Sequence, residues 1–295
     1  MDNPKLILFA ALGIVGVFFL AMWMRALAAG RAVQNGPEMP TPLQTGIGFV
    51  TNFFDTLGIG SYAPTTALFR FFRLVPDEKI PGTLTLGHAL AAITQSFIFI
   101  AVVQVDFKTM VLLIMASIVG AWLGAGVVAK LPRRNVQLGM GLALLAAAAL
   151  FMMANLGIVA AGGTALGLTG TKLVLGLVGN FALGALMTLG IGLYGPCLIM
   201  ISLLGMEPRA AFPIMMASCA FLMPVAGVRF AREQAYSARP ALGLALGGIP
   251  AVLIAALIVK SMPLVAVRWL VVVVVLIAAI GLLRAAFGRQ EPVHG

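Results

Sequence analysis

Gly58, Gly60 and Pro64 stand in the phrase Thr56-Leu-Gly-Ile-Gly-Ser-Tyr-Ala-Pro64, and Gly190, Gly192 and Pro196 stand in Thr188-Leu-Gly-Ile-Gly-Leu-Tyr-Gly-Pro196. Seven of the nine positions match, at an offset of 132 residues, and both copies lie within long apolar stretches. Glycine reaches backbone angles closed to other residues. Proline cannot continue a preceding helix but serves well in the first turn of a new one. Each phrase therefore reads as helix, glycine turn, new half-helix. The start of the new half-helix has free N–H groups and the positive end of the helix dipole. Two such ends meeting would hold a small anion without a buried arginine. Ser61 and the hydroxyls of Thr65 and Thr66 add donors at the first break. Tyr62 and Tyr194 occupy matching positions, each with a phenol and a flat wall. Cys197, next after the second proline, joins these substrate-binding candidates, although Cys197 and Cys219 both also read as small apolar residues. Two cysteines in apolar segments make neither a disulfide framework nor a metal spacing.

Asp55 is the one acid well inside an apolar segment among nine Asp and Glu residues. Intramembrane ionisable groups are costly and usually pair or function. Asp55 reads either as a cap on the turn or as a carrier of a coupling proton, and its repeat counterpart is Met187. Thr85, His88 and Gln95 share one helical face, as a structural hydrogen-bond set or as a wall of the permeation path; their counterparts Ala217, Ala220 and Gly227 are small. Asn52 and Asn180 each precede a glycine turn, out of register, and rank lower. No metalloprotease, nucleophile-elbow or phosphate-loop motif appears, so no catalytic residue, metal or cofactor is expected.

The elements that position these residues are membrane helices. The chain has 295 residues, 61% hydrophobic and 9% charged, with mean hydropathy +1.09, and its apolar runs approach the 20 or so residues that span a bilayer. Short alternating strands, the mark of a barrel, are missing. The net charge of +10 fits basic cytoplasmic loops and anionic lipid; the bases are scattered, so nucleic acid is not an expected partner. The apolar run from Leu6 to Met24 is too long for a signal peptide and reads as a retained helix.

The expected domains are an N-terminal helix and linker (1–44), repeat A (45–157), a connector (158–172), repeat B (173–287) and a tail (288–295). Each repeat holds an interrupted segment, about 45–75 or 173–206, and three spans, about 82–104, 109–130 and 135–157, then 211–229, 240–260 and 264–287. Loops carrying Arg133 and Arg232 should be cytoplasmic, and those carrying Asp106 and Glu207 external. Arg25 and Arg31 before the first interrupted segment, and Arg70, Arg73 and Lys79 after it, all prefer the inside, so that segment begins and ends on one side. The expected fold class is thus an all-α polytopic membrane protein with two inverted-topology repeats, each a glycine-broken re-entrant hairpin plus three transmembrane helices, and one extra N-terminal helix. That is a transporter pattern. The rival is one ordinary span per interrupted segment and a parallel duplication. Gly120/Gly124 and Gly243/Gly247 read as helix-packing positions, with Gly120→Ala expected to be milder than substitutions in the turns.

At the repeated phrase the chain resembles the TauE/SafE sulfite exporter family of membrane permeases. The matching positions are Gly58, Gly60 and Pro64, then Gly190, Gly192 and Pro196, with the basic turn Lys130-Leu131-Pro132; the likeness covers about 45–287. Where the family often continues with glycines, this chain has Ser61-Tyr62 and Leu193-Tyr194. The resemblance implies transport of sulfite, a sulfonate or another small sulfur or organic oxyanion, by a multi-pass protein of the bacterial inner membrane. The expected partners are a small anionic substrate and membrane lipids, and self-association is left open. The alternative is a non-transporting integral membrane protein, such as an assembly factor or a membrane enzyme.

Overall fold

The computed structural model describes residues 4–33, 39–58, 60–128, 163–188, 190, 192–261 and 264–287, with isolated residues between 134 and 156. The Lys130–Pro132 turn, the loop at Arg133, most of the span expected at 135–157 and the tail at 288–295 lie outside the described residues. The rest is almost entirely helical. After α1 (Pro4–Val33) come α2 (Pro42–Thr56), α3 (Tyr62–Phe71), α4 (Ile80–Val102) and α5 (Phe107–Val128). The second half supplies α6 (Gly170–Met187), α7 (Tyr194–Leu203), α8 (Ala211–Arg232), α9 (Ala238–Ser261) and α10 (Leu264–Phe287). Five segments among the described residues are long and apolar enough to cross a membrane: Pro4–Ala28, Ile80–Val102, Gly170–Met187, Pro208–Arg232 and Ala238–Ile258. The chain is a multi-pass membrane protein.

Local chemistry sets the breaks. Thr41 caps α2 in a reciprocal box with Gln44, and Pro42 opens its first turn. The helix stops after Thr56 because Gly58 (φ 98°) and Gly60 (φ 86°) take left-handed angles. Gly190 (φ 80°) ends α6 in the same way. The short helices α3 and α7 then have the same bounds, shifted by the repeat offset. Pro81 and Pro213 stand in the first turns of α4 and α8.

Packing follows the duplication. The first helix of each half lies against the helix that follows the central one in the other half: α2 on α9, and α6 on α5. Glycines bring the backbones together. A Cβ at Gly48 would lie 2.6 Å from the Leu244 Cα, and one at Gly247 would overlap the Thr45 carbonyl. In the matching pair, a Cβ at Gly120 would overlap the Phe181 carbonyl, and one at Gly184 that of Ser117. Gly120 and Gly247 are thus packing positions, as expected, while the sequence does not single out Gly48 and Gly184. The expectation that Gly120→Ala would be mild is corrected, because the added methyl meets rigid backbone and not a yielding side chain.

At the centre α4 packs on its own repeat counterpart, α8. Phe99 stacks on Phe212 with centroids 5.5 Å apart, while Leu86 reaches Gly227, and Gly82 meets Phe230 and Ala235. Rising numbers on α4 meet falling numbers on α8, so the two run antiparallel. Helix α1 lies outside the duplication and runs down α4: Lys5 Nζ donates to the Ile100 carbonyl at 3.1 Å, Phe9 stacks on Phe97, and Gly16 faces Ile93.

Candidate functional site

The two breaks meet. A Cβ at Gly60 would lie 3.7 Å from the Tyr194 Cβ, and one at Gly192 would lie 3.7 Å from the Tyr62 Cβ. Neither α3 nor α7 receives a hydrogen bond from its N-cap side chain, at Ser61 and Leu193. Between the breaks lies a cavity of about 10 Å³, bordered by Asp55, Gly60, Ser61, Tyr62, His88, Gly192 and Tyr194 together with Ala92, Met187, Leu193, Cys219 and Met223. That is room for about one water. A larger solute does not fit the cavity as it stands.

One polar network surrounds this cavity, and α4 carries it. Gln95 Nε2 donates to Asp55 Oδ2 and to Thr56 Oγ1, each at 2.9 Å, while its Oε1 accepts from the Tyr194 hydroxyl at 2.5 Å. A single amide thus ties both breaks together. Ser61 also faces the Asp55 carboxyl through its hydroxyl and backbone N–H. Nearer the start of α4, the Tyr62 and Thr85 hydroxyls are 3.2 Å apart. Asn52 Nδ2 donates to the Gly48 carbonyl at 2.7 Å, which leaves Asn52 Oδ1 as an acceptor for His88 Nδ1–H at 3.0 Å. A neutral imidazole protonated there accepts at Nε2, so the Thr65 hydroxyl, 3.2 Å away, donates to it. All of these side chains are buried.

The expected residues therefore divide. Thr85, His88 and Gln95 do form one inward face, and Asp55 joins it. The Asp55 carboxyl acts at long range on Gln95 as well as locally at Ser61. Thr65 is engaged with His88, and Thr66 is only half-buried and outside the cluster. Gly58 sits beneath the Phe212 ring, whose nearest atom would be 3.4 Å from a Cβ there, and Gly190 lies beside Pro81. Pro64 and Pro196 lie within the first turns of α3 and α7, and Cys197 is buried in α7.

Asn52 proves central, whereas Asn180 ties helices together: its Nδ2 donates to the Leu113 carbonyl at 2.6 Å and to Ser218 Oγ at 3.1 Å. Sequence reasoning missed Met187, Cys219 and Met223. A signal was present, since Met215, Cys219 and Met223 recur every fourth residue on α8 and so share a face.

A second cavity, about 850 Å³, opens between the C-terminal ends of α4 and α9 and the N-terminal end of α8. Phe99, Val102, Gln104, Arg209, Phe212 and Leu257 are among its walls. The Phe99–Phe212 stack stands between this vestibule and the glycine turn. At the opposite end of α4, the α8–α9 loop closes over the helix: Ser237 N–H donates to Thr83 Oγ1 at 2.9 Å, and the Ala235 carbonyl lies against Gly82.

Two interrupted helices thus face each other inside a multi-pass membrane protein. The family model described as sulfite exporter TauE/SafE matches residues 3–152, and the chain belongs to that family, whose members are membrane exporters of sulfur anions. The match takes in α1, which the motif-based resemblance left out, and covers the first break. No curated protein and no solved structure matches the chain.

Proposed function

We propose that the protein is a secondary transporter that moves a small anion, such as sulfite, a sulfonate or a related sulfur or organic oxyanion, across the bacterial inner membrane by alternating access. The anion is held at the N-termini of the half-helices α3 and α7. The observation that carries this reading is the meeting of two half-helix starts around one central cavity, since each has N–H groups without an intrahelical partner and a positive dipole end. Buried position and closure to the size of one water suit an occluded stage of a cycle, with the vestibule as the route of entry past Phe99 and Phe212.

The cycle rests on an inverted-repeat arrangement. Helices α4 and α8 are repeat counterparts and run antiparallel, as an exchange axis in the membrane plane requires. Lys79, Arg229, Arg232 and Arg239 outnumber Asp77, Glu78 and Glu233 at the end where α4 begins, while the loops at the other end carry one acid and one base each, Asp106 with Lys108 and Glu207 with Arg209, in keeping with basic loops inside. Each interrupted segment is then a re-entrant hairpin. Asp55, whose facing groups Gln95, Ser61 and Tyr194 bring no positive charge, carries the coupling proton. The decisive measurement is labelled-anion flux into proteoliposomes: uptake above protein-free vesicles is expected, and its absence for sulfite, thiosulfate and short sulfonates alike would end the transport reading. External labelling of single cysteines at 106 but not at 232 is expected, and equal labelling would overturn the inverted arrangement.

A further inference from the structure

The lining of the central cavity holds two kinds of side chain: Asp55, Ser61, Tyr62, His88 and Tyr194 bring polar groups, and Met187, Cys219 and Met223 bring sulfur. The sulfur set is internally connected, since the Cys219 thiol donates to Met187 Sδ at 3.6 Å. All three sulfur side chains are buried. The division also follows the duplication. Met187 stands where repeat A has Asp55, Cys219 where it has Gly87, and Met223 where it has Ala91. Two halves that share a turn therefore present different side chains to whatever lies between them.

Resting on the transport reading above, we infer that Met187, Cys219 and Met223 determine specificity, by accepting anions with one apex that is not oxygen and rejecting anions that are oxygen all round. The physical argument is one of desolvation. Sulfate or phosphate, in any orientation, turns at least one oxygen toward the sulfur wall. Thioethers donate no hydrogen bond and a thiol donates weakly, so that oxygen loses its water without replacement, and an uncompensated buried polar group is costly. Methanesulfonate can direct three oxygens to the donors and its methyl to the sulfurs. Sulfite can direct its lone-pair apex there, and thiosulfate its terminal sulfur. Polarisable sulfur is well suited to contacts of this kind. The wall thus sorts anions by the character of one apex and not by charge.

The test uses the full-length purified protein in detergent and reads ligand-induced thermal stabilisation as a function of concentration, because a ligand selective for the native state raises apparent stability. Methanesulfonate and thiosulfate are each compared with sulfate. Wild-type protein should favour both over sulfate by about tenfold or more. Met187→Gln with Cys219→Ser adds donors to the wall at similar volume and should bring that ratio down by about tenfold. Met39→Gln, the same exchange at an exposed position before α2, should leave it unchanged. Equal affinities in the wild type overturn the inference even where the double variant fails to fold, as does a ratio the folded variant does not alter. If none of the three anions stabilises the protein, the inference is overturned, and proteoliposome flux decides the transport reading separately. Preference for methanesulfonate without thiosulfate would assign the wall to apolar contact, and preference for both to contact with any non-oxygen apex; either supports it.

Discussion

The two breaks share seven of nine residues, yet among the described residues break A is wired into polar partners of its own half, while break B reaches a polar side chain through Tyr194 alone. Around break A, Asn52, Asp55, Thr56, Tyr62 and Thr65 bond to His88, Gln95 and Thr85. Around break B the matching positions of α8 are Ala217, Ala220 and Gly227. Tyr194 must cross to Gln95 on the other half's helix to find a partner. Duplication kept the backbone device, a glycine turn before a half-helix, because both halves need the same interruption. Side-chain chemistry was free to diverge, and it left one half with the acid and the donors and the other with sulfur. A substrate between them meets an asymmetric site within a symmetric frame.

The largest expected effect tests what the breaks share. Gly60→Leu and Gly192→Leu each place an isobutyl group against the opposite tyrosine, beginning from a Cβ that would already be 3.7 Å from it. Each should reduce flux to the level of protein-free vesicles while the protein remains membrane-inserted and monodisperse. Normal flux in both would place the site elsewhere.

The next test concerns what only break A has. Asp55→Asn keeps the shape and most hydrogen bonds but cannot titrate. Flux driven by a pH gradient should fall about tenfold or more, while anion exchange stays within about twofold. Unchanged gradient-driven flux would reduce Asp55 to a structural partner of Gln95. Equal loss of both activities, with a lower melting temperature, would favour its role at the turn.

The smallest effect separates the turns by strain alone. Gly60 holds φ 86°, so Gly60→Ala should cost about 1 kcal/mol in thermal unfolding. Gly192 does not share that left-handed angle, and a methyl there meets ordinary contact, so Gly192→Ala should be close to neutral. Equal destabilisation would show that the second turn is under the same constraint.

Much of this was legible in the chain itself. Apolar length declared the membrane, because about 20 uninterrupted apolar residues have no other use. The repeated glycines and prolines located both helix breaks to within a few residues, since those two residue types act on their own backbone. Three-residue and seven-residue spacing put Thr85, His88 and Gln95 on one face, a property of a single helix. What the sequence could not determine is which elements touch. Gln95 joins Asp55, 40 residues away, to Tyr194, 99 residues away, and no local pattern encodes that. Asn52 looked secondary because its importance comes from His88, on another helix. Gly120 looked tolerant because its constraint is the Phe181 backbone across the α5–α6 contact. Met187 read as the mere absence of an acid until packing set it beside Cys219 and Met223. Backbone conformation is dictated by near neighbours in the chain, and so it can be read there. The composition of a cavity between helices depends on long-range packing, and the tertiary structure alone decides it.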